Sequence, residues 1–136
     1  MITSNLKLLF KVYAVLQTVQ GFLMLFGGKM ISEMNQWENH SENMVVMAEH
    51  HGAGLICIAI LFWMLTIWMS DNQLKQTVPA IIAVQVILAI MPAYHAATDV
   101  ILVNPPFFVM MAVLIGLIVM FYIESKKNVI TPDEEE

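Results

Sequence analysis

The residues of this 136-residue chain best equipped for chemistry are its four histidines and a set of methionines. Glu49, His50 and His51 are consecutive. His95 and Asp99 stand four apart, one helical turn, so a carboxylate could orient an imidazole there. Brought together, Glu49, His50, His51, His95 and Asp99 would form one polar, ligand-binding pocket, because ionisable groups in a membrane span usually face inward and pair. His40, Met44, Met47 and His51 follow an i, i+4, i+7, i+11 spacing, which is one face of a helix. A thioether and imidazole set of that kind suits Cu(I). His50 or His51 opposite His95 could instead hold a haem between two imidazoles, and a quinone could occupy the same cluster. Each reading has a plainer rival. Histidines at a membrane boundary can reach headgroups with their polar tips, and methionine is a flexible apolar filler. The single Cys57 and the absence of tight ligand spacing disfavour zinc. No nucleophile and base set, phosphate loop or metal signature is visible, so no catalytic residue is assigned.

Composition says what solvent these groups meet. The chain is 59% hydrophobic and 12% charged, about half the ~25% charged share of a soluble domain. That leaves too little polar surface for water and points to a bilayer. Its net charge of −5 comes mostly from Asp133, Glu134, Glu135 and Glu136. There is no arginine, and the six lysines are scattered, so no basic patch offers a nucleic-acid surface. One cysteine allows no intramolecular disulfide.

Four apolar runs, about residues 6–26, 45–69, 78–97 and 105–123, must position the polar groups. Each approaches the ~20 residues that cross a hydrocarbon core. The expected fold is therefore all-α, an integral membrane bundle of four transmembrane helices in one domain, residues 1–127, followed by an acidic disordered tail, 128–136. The first run carries Gln17 and Gln20 and lacks a small-x-small cleavage pattern, unlike a signal peptide. Local signals set the expected ends. Ser41 with Glu42 can open the second helix, Thr77 with Pro79 the third, and Asn104 with Pro105 and Pro106 the fourth. Pro92 is expected to kink the third. The stretch KMISEMNQWENH groups Met30, Ile31, Met34 and Trp37, compatible with a short interfacial helix in the first loop.

Lysines give the expected orientation. Lys7, Lys11, Lys75, Lys126 and Lys127 oppose Lys29 alone, which places both termini in the cytoplasm and every histidine outside. Trp68, Phe121 and Tyr122 then belong to the inner aromatic belt, Trp37 and Tyr94 to the outer one. Ala48 with Gly52, and Ala89, Ala93 and Ala97, make small-residue lines that let helices approach closely. Gln17, Gln20 and Gln85 are intramembrane polar residues expected to bridge helices. No ionisable residue lies mid-span, which weakens an ion or proton path through a monomer. Asn39-His40-Ser41 fits the N-glycosylation pattern on the outer side.

With a first span ending QGFLMLFGGKM, an outer loop, a second span opening EHHGAGL and two further spans, the layout resembles small bacterial four-helix membrane proteins of the DoxX-like kind. The resemblance covers nearly the whole chain, rests on span layout and glycine placement, and implies fold and membrane residence. Three functions follow as expectations for a multi-pass protein of a plasma or bacterial inner membrane. The leading one is a helper or interaction subunit, with lipid, a membrane protein or a second copy as partner. The others are a metal-, haem- or quinone-binding redox protein and a small oligomeric transporter or channel.

Overall fold

The computed structural model of the chain describes residues 5–34, 42–98 and 103–127. Among them every regular element is an α-helix: α1 (Leu6–Met34), α2 (Glu42–Trp68), α3 (Asp71–Ala97) and α4 (Pro105–Lys126). Helices of 29, 27, 27 and 22 residues measure roughly 33 to 44 Å at ~1.5 Å per residue. That exceeds a ~30 Å hydrocarbon core. Each is apolar enough, as well as long enough, to cross a membrane.

Four expected runs thus became four helices, but with different ends for local reasons. α3 begins at Asp71, well before Thr77, because Ser70 and Gln73 form a capping box. The Gln73 backbone N–H donates to Ser70 Oγ at 3.4 Å, and the Ser70 backbone N–H donates to Gln73 Oε1 at 2.9 Å. Two orphan donors are satisfied reciprocally, outweighing the preference of Pro79 for a first turn. Thr77 lies inside the helix and donates its hydroxyl to the Leu74 carbonyl at 2.8 Å. Lys75, expected in a loop, is therefore helical, and only Met69 and Ser70 connect α2 to α3. α3 runs unbroken through Pro79 and Pro92, which cannot donate to the carbonyls of Lys75 and Leu88.

α1 likewise continues past Phe26, where the sequence suggested a loop. Glycines weaken a helix interior by ~0.5–1 kcal/mol, but Gly28 is buried and a Cβ there would sit 3.4 Å from that of Ala48. Packing against α2 offsets the propensity. Residues 29–34 accordingly extend α1, and residues 35–41 lie outside the described set. For α4 the expected start holds: Asn104 accepts a hydrogen bond from the Phe107 backbone N–H at 3.1 Å, with proline at N1 and N2.

The helices gather into two compact units, residues 10–64 and residues 1–9 with 65–136. In the first, α1 and α2 run antiparallel, since Phe10 and Tyr13 meet Phe62 while Gly21 meets Gly52 and Gly28 meets Ala48. Phe10, Tyr13, Ala14, Leu55 and Ala59 are buried there. In the second, α3 packs against α4. α3 buries Leu74, Val78, Ile81 and Gln85, one stripe at helical spacing, and α4 buries Leu117 and Phe121. Phe121 is fully buried and is a core residue rather than part of an aromatic belt; Trp68 and Tyr122 remain exposed. Large apolar side chains such as Phe26, Met47, Phe108 and Val109 are also exposed, a surface suited to lipid.

Candidate functional site

The close crossing of α1 and α2 determines where the Glu49-His50-His51 stretch points. A Cβ on Gly52 would lie 2.6 Å from the Gly21 carbonyl oxygen, and one on Gly21 would lie 2.8 Å from that of Gly52. The two backbones touch, as small residues permit in membrane helices. With Gly52 and Ala48 turned to α1, the ~100° step between residues carries His50 to the far side of α2. Glu49, His50 and His51 are all exposed. His50 Nδ1–H donates to the Val46 carbonyl at 2.8 Å, which leaves Nε2 as the bare nitrogen of the neutral ring. That nitrogen can accept a hydrogen bond or ligate a metal.

His95 is differently placed. It lies in the last turn of α3, half-buried, with its ring 5.7 Å from that of Tyr94. Its Nδ1 is buried without a hydrogen-bond partner among the described residues. The Thr98 hydroxyl closes the same turn by donating to the carbonyls of Tyr94 and His95 at 2.9 and 3.3 Å. Asp99, the expected orienting carboxylate, lies outside the described residues. Glu49, His50 and His51 belong to the α1–α2 unit and His95 to the other, so each stands here in its own unit.

The methionine set is only partly described. Met47 and His51 lie one turn apart on α2, both exposed; His40 and the side chain of Met44 lie outside the described residues. Among the described residues no three His, Cys, Asp or Glu side chains converge as a metal set, and Cys57 is exposed. The glutamines separate cleanly. Gln20 is exposed, Gln17 is buried, and Gln85 is completely buried, with neither amide atom hydrogen-bonded among the described residues. Within that set Gln85 therefore makes no polar bridge between helices. Among the described residues, Ala93 and Ala97 of the α3 alanine line are exposed and Ala89 is half-buried.

One polar assembly, apart from its i, i+3 pair of Glu124 and Lys127, has no local signal in the sequence. Within the unit formed by residues 1–9 and 65–136, the Glu124 carboxylate accepts from the Asn5 backbone N–H at 2.8 Å and from Lys127 Nζ. Lys75 Nζ donates to the Lys127 carbonyl at 3.0 Å. Lys7 Nζ lies 3.5 Å from Asp71 Oδ1, close enough for an ion pair, although Oδ1 makes no hydrogen bond among the described residues. An anion beside the first N–H groups of α1 also suits the helix dipole. The clasp fastens the start of α1 to the end of α4. Lysines spread through the sequence hide it, for only folding places Glu124 beside Asn5.

Comparison with known proteins finds no matching family model, no matching curated protein and no matching solved structure.

Proposed function

We propose that the chain is a multi-pass integral membrane protein, both termini cytoplasmic, acting as a small helper or interaction subunit in the DoxX-like layout. Four helices long and apolar enough to span and the five-to-one division of lysines support the placement. The carrying observation is the exposed Glu49-His50-His51 stretch, whose His50 is turned away from α1 by the Gly21–Gly52 contact. Charged and imidazole groups near the end of a span that make no ion pair among the described residues are suited to a partner on another protein.

A photocrosslinking amino acid at Met47, one turn before His51, tests the reading in native membranes. A discrete protein adduct, lost on combined His50→Ala and His51→Ala substitution, is expected. Lipid adducts alone would overturn it. The bare Nε2 of His50 favours a second reading, a metal-, haem- or quinone-binding role at the histidines, with His40, Met44, Met47 and His51 as the candidate metal set. A visible spectrum and metal analysis of the purified protein test that one, and a colourless, metal-free protein rejects it.

A further inference from the structure

Outside the histidine-bearing end, the α1–α2 unit holds a cavity of about 270 Å³. α1 lines it with Ala14, Val15, Thr18 and Val19, and α2 with Ala59 and Trp63. Small side chains at Ala14 and Ala59 hollow it out. Its one hydroxyl is silenced, because Thr18 Oγ1 donates to the Ala14 carbonyl at 2.9 Å. The groove is thus apolar throughout its length.

Its end is not. Ala14, Val15, Thr18 and Val19 lie three, four, seven and eight residues after Lys11, so Lys11 continues the same face of α1 one turn beyond the groove. Its Nζ lies 5.5 Å from the centroid of the Trp63 ring, which is itself a groove wall. A cation is therefore held at the mouth of an apolar channel. Among the described residues Lys11 makes no ion pair. Asp71 is already paired with Lys7 and Glu124 with Lys127, so a second copy of the chain would bring no spare carboxylate from these positions.

We propose that this groove binds one acyl chain of an anionic glycerophospholipid, with the headgroup phosphate on Lys11 and the glycerol region beside Trp63. An apolar slot long enough for part of a hydrocarbon chain, ending in an ammonium that lies over an indole and makes no ion pair among the described residues, matches the two halves of such a lipid. The site rests on the membrane placement proposed above and adds to it a lipid class and a position.

The test uses full-length protein, carrying Trp37→Phe and Trp68→Phe so that Trp63 alone fluoresces, in phosphatidylcholine vesicles. Brominated phosphatidylglycerol or brominated phosphatidylcholine is added at the same low fraction as a contact quencher. Phosphatidylglycerol is expected to quench Trp63 with about fivefold higher apparent affinity, the ratio expected from one lysine near an anionic surface. Lys11→Gln should abolish the preference, and Lys11→Arg should keep it. Val19→Phe, at an exposed position, should fill the slot and reduce quenching by phosphatidylglycerol. Equal quenching by the two lipids, or a preference that survives Lys11→Gln, overturns the lipid site. Loss of quenching as protein density in the vesicles rises would show a second copy in the groove and also overturn it. No quenching by either lipid would mean that the chain does not insert, and the membrane placement itself would fall.

Discussion

At the scale of the residue, Gln85 and Glu124 are opposites. Gln85 is fully buried with an amide unpartnered among the described residues, and an unsatisfied buried polar group costs ~1–3 kcal/mol. Replacing it with Met, similar in length and able to fill the same space, is expected to raise stability by about that amount. Reversible unfolding in mixed micelles would show it, and a loss of stability would reveal a partner that pairs with the amide. Glu124 is the satisfied case, accepting from both Asn5 and Lys127. Hydrogen bonds to charged groups contribute ~1.5–3 kcal/mol, so Glu124→Ala should lower stability by about 2 kcal/mol. Lys7→Ala should cost under ~1 kcal/mol, because the pair it forms with Asp71 is well exposed. Similar losses from both would mean that Glu124 is not the centre of the clasp.

At the scale of the element, two glycines of α2 occupy unlike surroundings although they are two residues apart. Gly52 lies against the α1 backbone, whereas nothing stands within 4 Å of where a Cβ on Gly54 would be. Alanine at 52 must push α1 aside, since the obstructing atoms are backbone, and overpacking of this kind costs ~1–3 kcal/mol. Alanine at 54 meets open space and should be neutral or stabilising by up to ~1 kcal/mol, the helix-propensity gain. Thermal unfolding of the two variants in one detergent provides the comparison. Equal effects would remove the backbone crossing, and with it the reason that His50 faces away from α1.

At the scale of the whole molecule the open matter is orientation. Five lysines against one predict both termini inside. In a Cys57→Ala background, a cysteine at Asn39 should react with a membrane-impermeant thiol reagent applied to intact cells, and one at Asn72 should not. Asn72 is exposed in the first turn of α3, so protection there would come from the bilayer and not from burial. Labelling at Asn72 alone inverts the topology; labelling at both removes a fixed one.

Hydropathy and run length were enough to find four spanning-type helices, because a ~20-residue apolar stretch is a property of the chain itself. The Asn104 cap was legible for the same reason: its hydrogen bond closes within three residues. The Ser70–Gln73 capping box is equally local, but a start placed at Thr77 on the strength of Pro79 passes it over. Burial was another matter. α2, α3 and α4 show almost no apolar face distinct from the rest of their circumference, so periodicity could not say that Phe121 lies in the core while Tyr122, its neighbour, is exposed. Nor could it choose between the Ala93 and Ala97 line and the Gly21–Gly52 crossing as the close contact. In lipid-like sequences the hydrophobic pattern no longer separates inside from outside, since the solvent is as apolar as the core. Only the backbone contact of α1 with α2, and the meeting of Asn5 with Glu124 across 119 residues of chain, decided which faces are buried.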